Sequence, residues 1–164
     1  MSDIDFSAYP RIAIVGSPGS GKSTLARRIA AETGHPLIHL DYEHHRAGWT
    51  HPSKEEWRAM NEEFVCGERW IIDGNYGGTM EIRYRSADLI IFLNNTRMEC
   101  VRRVIRRHGQ KRPDLKPEVV EPRKLSLDFL KFLWFIWRYP KRGKRKMMAL
   151  REQYPDVKFY AMKG

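Results

Sequence analysis

Short runs of apolar residues, rich in isoleucine, leucine and valine, recur along the chain and mostly end at a glycine or a polar residue. Runs of this kind are typical of the buried strands of a parallel sheet. Five strands are predicted: Arg11 to Val15, Pro36 to Leu40, Trp70 to Ile72, Asp88 to Leu93 and Val157 to Ala161.

Between the predicted strands, apolar residues recur three or four positions apart, which predicts amphipathic helices. Ser53 and Glu56 have the spacing of a capping box, so one helix should begin after Ser53. The other predicted helices are Lys22 to Glu32, Thr96 to Arg107, Lys124 to Arg138 and Lys141 to Gln153. Strands that alternate with helices predict an α/β layered fold with a mostly parallel sheet.

The carboxyl ends of the predicted strands are where ligands of such a sheet bind. Gly16, Asp41, Asp73 and Asn94 each stand at one of these ends. The length of 164 residues suits one domain, residues 1–164, and excludes two large domains.

The net charge of +10 is concentrated in one part of the chain. Residues 97–146 contain 17 Lys and Arg against 5 Asp and Glu, whereas the other residues contain 13 against 15. This excess favours an anionic partner, and a nucleotide, a nucleic acid or a membrane surface would each satisfy it.

The cysteines and the apolar segments indicate the compartment. Cys66 and Cys100 are too few and too far apart for a disulfide framework or a cysteine-rich zinc site. No apolar signal segment opens the sequence, and the stretch from Leu127 to Tyr139 is shorter than the roughly 20 residues of a membrane span. We therefore expect a cytoplasmic protein that does not insert into a membrane.

Residues 16–23, GSPGSGKS, match the phosphate-loop pattern G-x-x-x-x-G-K-S between a predicted strand and a predicted helix. Small residues let backbone N–H groups point at phosphate oxygens, and the helix N-terminus adds its positive dipole end. Lys22 would reach the β- and γ-phosphates of ATP, and the Ser23 hydroxyl would ligate Mg²⁺. The predicted ATP-binding residues of the loop are Gly16, Ser17, Gly19, Ser20, Gly21, Lys22, Ser23 and Thr24.

Two carboxylates complete the predicted chemistry. Asp73 would hold Mg²⁺ opposite Ser23, and Asp41 would orient or deprotonate a hydroxyl acceptor. An aspartate at either place is also a common turn residue, so a purely structural role stays open for both. The chain has no Asn-Lys-x-Asp element for reading guanine and is small for a motor ATPase, which favours a small kinase.

Four arginines occur within six positions of one predicted helix: Arg102, Arg103, Arg106 and Arg107. A lid arginine that closes over the moving phosphoryl group would stabilise its charge in the transition state. We expect two of the four to be functional and two to be exposed. A metal cluster of His39, Asp41, His44 and His45 is disfavoured because the spacing matches no standard zinc pattern, so these residues should line the acceptor pocket or face solvent.

The sequence resembles the P-loop small-molecule kinases related to adenylate kinase and, more narrowly, the bacterial DNA topology modulation family. The motifs that carry this resemblance are GSPGSGKST at 16–24, HLDY at 39–42, GW at 48–49, WIIDGNY at 70–76, ADLIIFL at 87–93, Arg103 with Arg107, and the segment that contains Trp134, Trp137, Tyr139 and Pro140. They span nearly the whole chain.

The resemblance implies a three-layer P-loop fold with a five-stranded sheet in the order 2-3-1-4-5 and a helical lid at about 108–123. By position, Arg103 matches the arginine that stacks on the adenine, and Arg107 matches the lid arginine that contacts the phosphates. Nucleoside monophosphate kinases carry two arginines that clamp the acceptor phosphate, and here those positions are Gly77 and His44. Arg46, Arg83 and Arg85 are candidates to substitute for them, and Asn94 replaces an aspartate often found in related sequences.

The aromatic stretch from Leu127 to Tyr139, followed by the basic run 141–146, supports three interpretations. The helical spacing of its aromatics favours a helix packed on the core and on the base of the lid. A membrane-surface helix with a basic flank and a nucleic-acid surface with stacking aromatics are the alternatives.

The sequence thus predicts an ATP- and Mg²⁺-dependent kinase that acts on a small molecule, with nucleosides and nucleotides among the candidate acceptors. Its predicted catalytic residues are Lys22, Asp41 and Arg107, its metal residues are Ser23 and Asp73, and Arg103 joins the loop in binding ATP. The alternative is an ATP-binding regulator that interacts with DNA and has no small-molecule acceptor.

Overall fold

A five-stranded sheet forms the centre of the molecule in the computed structural model, which describes residues 4–110, 113–119 and 126–164. The strands are β1 (Arg11–Gly16), β2 (Leu37–His39), β3 (Trp70–Asp73), β4 (Leu89–Leu93) and β5 (Lys158–Met162). All four strand pairs are parallel, and the strand order β2-β3-β1-β4-β5 confirms the predicted topology.

Six α-helices connect the strands in the described part of the chain: α1 (Lys22–Thr33), α2 (Leu40–His44), α3 (Lys54–Phe64), α4 (Met80–Ser86), α5 (Arg97–Arg107) and α6 (Leu127–Gln153). Short 3₁₀ turns occur at Phe6–Ala8 and Ala47–Trp49. The capping interaction predicted for α3 is present, because the Ser53 hydroxyl accepts the N–H of Glu56 at 3.0 Å. The helices α2 and α4 were not predicted.

Alternate side chains of the central strands bury on opposite faces of the sheet, as a strand covered on both faces requires. One face packs with α1 through residues such as Leu25 and Ile29. The other face packs with α3, α4 and α6 through residues such as Trp57, Tyr84 and Met147. Full burial of one such side chain contributes about 1.5–3 kcal/mol, so the two layers hold the strand ends in fixed positions.

The last helical segment is one helix, so the predicted break into two helices near residue 140 is wrong. Pro140 lies inside α6, where it lacks the N–H that would bond to the carbonyl of Ile136. Ile136 and Tyr139 are buried before the proline, and Met147 and Leu150 are buried after it. This apolar packing on both sides offsets the missing hydrogen bond and keeps the helix continuous.

The segment predicted as a lid, residues 108–123, connects α5 to α6. Its described parts, 108–110 and 113–119, form turns in which Asp114, Leu115 and Val119 are buried. Residues 111–112 and 120–123 lie outside the described residues. No helix in the part of the chain described by the structure is long and apolar enough to cross a membrane.

An ion pair ties the amino-terminal ends of β1 and β4 together. Asp88 accepts the N–H of Arg11 at 3.0 Å and two guanidinium hydrogen bonds, from Nε at 2.9 Å and from a terminal nitrogen at 2.8 Å. The hydrogen bonds and charge of Arg11 lower the pKa of Asp88 despite its partial burial.

We expect Asp88→Asn to lower the free energy of unfolding by about 1–2 kcal/mol at pH 7. Because the carboxyl has a lowered pKa in the folded state, its contribution is complete above the ordinary value of about 3.9 and is lost as the pH falls through the lowered one. Urea unfolding at pH 7 and pH 3 measures this. The control is Asp156→Asn, at an exposed turn residue, which should change the free energy of unfolding by less than about 0.5 kcal/mol. If Asp88→Asn loses the same stability at pH 7 and at pH 3, the prediction is contradicted.

Candidate active site

The predicted phosphate loop follows β1 and leads directly into α1, whose first two residues are Lys22 and Ser23. Gly19 has a φ of 80°, and a Cβ there would lie 2.5 Å from the carbonyl oxygen of Cys100. Only glycine combines this backbone conformation with so close an approach. The loop is therefore packed against α5 with a fixed shape.

Asn75, for which the sequence alone predicts no role, forms hydrogen bonds with the first residue of the loop. The Gly16 N–H donates to Oδ1 of Asn75 at 3.1 Å, and Nδ2 of Asn75 donates to the Gly16 carbonyl at 2.6 Å. The Tyr139 hydroxyl also donates to Oδ1 of Asn75 at 3.1 Å, and burial raises the pKa of Tyr139 so that it stays a neutral donor. Asn75 thus links β3, the phosphate loop and α6.

We expect Asn75→Ala to weaken ATP binding by about tenfold and to lower the free energy of unfolding by about 1–3 kcal/mol, because it leaves two backbone groups of Gly16 without their partner. Calorimetric titration with ATP and urea unfolding measure the two effects. Tyr139→Phe keeps the Asn75 contacts with Gly16 and should lose clearly less in both measurements. Unchanged ATP affinity in Asn75→Ala would show that the loop keeps its shape without this side chain.

Lys22 and Ser23 face the cavity in front of the loop. Nζ of Lys22 donates to the carbonyl of Ser17 at 3.1 Å, within the loop itself. The Ser23 hydroxyl donates to Oδ2 of Asp114 at 2.9 Å. A buried carboxylate from the predicted lid thus reaches the residue expected to hold the metal.

Oxygen donors suited to Mg²⁺ lie around this point. Ser23 offers a hydroxyl and Asp73 and Asp114 offer carboxylates, and all three line the same cavity. Hard oxygen ligands are what Mg²⁺ prefers, so these residues fit the ion. The sequence does not single out Asp114, which is one of five acidic residues in the basic segment 97–146.

Asp73 is 4% exposed at the end of β3 and pairs with a histidine of the neighbouring strand. Nδ1 of His39 lies 2.5 Å from Oδ1 of Asp73, across the register that aligns these two residues. Burial of His39 disfavours the imidazolium, but the hydrogen bond and charge of Asp73 outweigh it and raise the pKa of His39. The pairing orients the Asp73 carboxylate toward the cavity.

Asp41 lies in the first turn of α2, not at the end of the second strand as predicted, because β2 stops at His39 and α2 begins at Leu40. Its Oδ1 accepts the hydroxyl of Tyr76 at 3.0 Å. Both residues line the cavity on the side away from α1. Nζ of Lys116, in the turns after α5, lies 5.4 Å from the centroid of the Tyr42 ring. The predicted lid therefore also contacts α2.

The four arginines of α5 separate into different environments. Arg107 lines the cavity. Arg103 lies behind the phosphate loop, where its guanidinium donates to the carbonyls of Ser20 at 3.3 Å and Gly164 at 3.0 Å. Arg102, Arg103 and Arg106 are exposed, and Arg107 is half-buried.

The three arginines considered as substitute acceptor clamps do not line the cavity. Arg46 pairs with Glu56 at 2.5 Å and Arg85 pairs with Glu62 at 2.8 Å. Arg83 is 1% exposed and donates its hydrogen bonds to neutral groups.

Arg83 joins the loop after β3 to α3. It donates to Oδ1 of Asn61 at 2.5 Å, to the carbonyl of Asn75 at 2.5 Å and to the hydroxyl of Thr79 at 3.0 Å. Burial lowers the pKa of Arg83 to about 9. The side chain therefore supports Asn75, and through it the phosphate loop.

A single cavity of about 1530 Å³ extends from the phosphate loop past Asp73 and Asp41 to Trp49. Ligand pockets usually have volumes of about 300–1,000 Å³, so this one has room for a nucleotide and a second molecule.

The opposite wall of the cavity is the aromatic half of α6. Phe129 and Tyr139 are buried, in agreement with the predicted packing on the core. Phe132, Trp134, Phe135 and Trp137 are 37% to 61% exposed, so for these four the predicted core packing is wrong. The reason is that this half of α6 packs mainly on α5, through a narrow stripe that includes Ile136, and presents its other side to the cavity and to solvent.

Comparison with known proteins agrees with the fold. The family model of the ATPase family associated with various cellular activities (AAA) matches residues 12–68, which contain β1, the phosphate loop and α1. Among curated proteins, no significant sequence match is found.

Solved structures of small-molecule kinases share the architecture. Shikimate kinase from Bacteroides thetaiotaomicron aligns with a TM-score of 0.59 and 22% identity over 94% of this chain and 86% of its own. Shikimate kinase from Acinetobacter baumannii, in complex with shikimate, aligns with a TM-score of 0.53 and 17% identity over 97% of this chain and 86% of its own. A gluconokinase from Sinorhizobium meliloti 1021 aligns with a TM-score of 0.50 and 18% identity over 92% of this chain and 80% of its own. The chain therefore has the fold of P-loop small-molecule kinases.

Proposed function

We propose that this chain is an ATP-dependent phosphotransferase that moves the γ-phosphate of ATP to a hydroxyl of a small molecule. The observation that carries the proposal is the continuous cavity, which begins at Lys22 and Ser23 and extends past Asp73 and Asp41 to Trp49. A nucleotide-binding regulator needs only the part of this cavity at the phosphate loop.

The phosphate loop forms the ATP side of the site. Backbone N–H groups of residues 16–24 and the N-terminus of α1 would hold the phosphates, with Lys22 at the β- and γ-phosphates. Arg103 would contact the adenine from behind the loop, and Arg107 would approach the transferred group from the cavity wall. Ser23 and Asp73, joined by Asp114, would hold Mg²⁺, which neutralises phosphate charge when bound.

Asp41 would act on the acceptor side. Its hydrogen bond from Tyr76 fixes the carboxylate at the cavity wall. A hydroxyl placed against Asp41 would have its proton accepted and its oxygen directed toward the γ-phosphate.

The acceptor is most compatible with a hydroxyl compound that carries no phosphate. Gly77 and His44 replace the two phosphate-clamping arginines of nucleoside monophosphate kinases. Arg46 and Arg85 are paired with glutamates, and Arg83 is buried, so none of them supplies a substitute clamp. Kinases of similar fold include shikimate kinases and a gluconokinase, which is consistent with such an acceptor.

The proposal includes three further predictions from the sequence. Residues 1–164 form one domain whose lid is about 108–123, the protein acts in the cytoplasm, and it is a member of the DNA topology modulation family. The family name does not require contact with DNA, since a kinase can affect DNA topology indirectly.

Release of ADP from ATP and Mg²⁺ in the presence of nucleosides, nucleoside monophosphates, sugars and hydroxy acids tests the function. We expect one hydroxyl compound to stimulate release and Asp41→Asn to lower kcat by about 10²-fold or more while ATP affinity is kept. Glu43→Gln, on the same helix, is the matched control. Stimulation by no compound, together with DNA binding that weakens steeply with salt, would replace the proposal with the DNA-binding regulator.

A further inference from the structure

Three histidines from α2 and the loop after it gather at the acceptor end of the cavity. His44 ends α2, His45 follows it, and His51 returns toward them after the 3₁₀ turn Ala47–Trp49. One nitrogen from each imidazole lies within 4.8 Å of the other two. Each of the three residues therefore offers an imidazole nitrogen as a potential metal ligand.

We propose that His44, His45 and His51 form a binding site for a divalent transition metal ion, with Zn²⁺ as the representative ion. The site is separate from the Mg²⁺ residues at the phosphate loop, and its existence does not depend on the proposed kinase activity.

The separations between the rings support this assignment. The ring centroids are 5.2 Å apart for His44 and His45, 4.7 Å for His44 and His51, and 5.1 Å for His45 and His51. With zinc–nitrogen distances of about 2.0 Å, each centroid lies about 3.2 Å from the ion, and two ligands at a tetrahedral angle have centroids about 5.2 Å apart. The three ring centroids are therefore spaced nearly as in ligands of one ion. Binding would bring the nitrogens from within 4.8 Å to about 3.3 Å of one another.

A buried nitrogen in the cluster gives a second, independent reason. Nδ1 of His44 is buried and makes no hydrogen bond within the described structure. Leaving such a group without a partner is unfavourable. The His44 ring is enclosed by Trp57 and Tyr76, with centroid distances of 4.7 Å and 4.6 Å, so the ring has little freedom to turn toward solvent. A metal ion would satisfy this nitrogen.

The backbone holds the third ligand in place. The Arg46 N–H donates to the Thr50 carbonyl at 3.0 Å, and the Thr50 hydroxyl donates to the Ala47 carbonyl at 3.0 Å. Gly48, with a φ of 68°, makes the turn between them. These contacts bring His51 back beside His45, a proximity that sequence spacing does not reveal. The sequence analysis instead grouped His44 and His45 with His39, which the structure pairs with Asp73.

The donor set selects the class of ion. Imidazole ligands suit Zn²⁺, Cu²⁺, Ni²⁺ and Co²⁺ rather than Mg²⁺ or Ca²⁺, which prefer oxygen. Three protein ligands are typical of zinc sites that keep one position for water or substrate. Because His45 and His51 line the cavity, that position is accessible to an oxygen of the acceptor.

Titration of the untagged full chain with Co²⁺ after removal of metals by chelation tests the site, with Zn²⁺ added as competitor. We expect one Co²⁺ per chain, with the visible absorption of a tetrahedral cobalt site, displaced by one Zn²⁺. His51→Gln removes an exposed ligand, so it should fold normally by circular dichroism and weaken Zn²⁺ binding by at least about 10²-fold.

His108→Gln is the matched control, since its side chain lines the same cavity outside the cluster. It should keep the stoichiometry and bind Zn²⁺ within about twofold of the parent. The proposal is overturned if the chain takes up no stoichiometric metal, if folded His51→Gln binds as tightly as the parent, or if the control variant loses binding to the same extent.

Discussion

Lys22→Ala is expected to lower kcat/KM for ATP-dependent phosphotransfer by about 10³-fold, equivalent to about 4 kcal/mol of transition-state stabilisation. Nζ of Lys22 lies at the phosphate loop, where it donates to the Ser17 carbonyl at 3.1 Å and where it can move to a phosphate. Loss of the ammonium removes a positive charge from the place where negative charge moves between the nucleotide and the acceptor. Initial rates of ADP formation at several ATP concentrations measure the effect.

The same substitution at an exposed lysine separates this effect from a general change in charge. Lys54→Ala lies at the start of α3 outside the cavity and should keep activity within about twofold. Circular dichroism of Lys22→Ala checks that the variant is folded when its activity is measured. An active Lys22→Ala variant would sink the assignment of phosphate chemistry to this loop.

Arg83→Met is expected to lower the free energy of unfolding by about 2–4 kcal/mol. The substitution leaves the amide oxygen of Asn61 and the carbonyl of Asn75 buried without their donor, at about 1–3 kcal/mol each. Release of a buried charge from an apolar environment offsets part of this cost. Urea unfolding measures the stability, and ATP titration should show weaker binding because Asn75 supports the phosphate loop.

Arg85→Met is the control for this prediction, since it lies on the same helix and makes an exposed ion pair with Glu62. Exposed pairs contribute about 0–1 kcal/mol, so the two variants should differ by at least about 1 kcal/mol. If Arg83→Met and Arg85→Met unfold at the same urea concentration, then the buried hydrogen bonds of Arg83 do not stabilise the fold.

The sheet could be predicted because its central strands are buried on both faces, and such strands consist of continuous runs of apolar residues. The strand order was implied by family resemblance and not by the runs themselves. The helices α2 and α4 have 5 and 7 residues, too few for a periodic apolar pattern to repeat. Pro140 predicted a helix end, but burial of Ile136 and Met147 on either side of it held α6 together.

The phosphate loop could be predicted because its chemistry is local to residues 16–23. The contacts that surround it are not local. Asn75 is 59 residues from Gly16, and Asp114 is 91 residues from Ser23. The pairing of His39 with Asp73 depends on which strands are neighbours in the sheet. No spacing rule in the sequence gives such contacts, so they require the fold.

The position of the phosphate loop in the fold has a consequence for how the chain is made. The loop lies near the beginning of the chain, but its shape depends on Asn75 and on the approach of Gly19 to Cys100. The strand before the loop, β1, pairs with β4, which is distant from it in the sequence: Ile12 lies opposite Leu89. Such distant pairings form late in folding. We therefore expect residues 16–23 to take their ATP-binding shape only after α5 has left the ribosome, and we expect ATP to stabilise by mass action only a chain whose sheet has assembled.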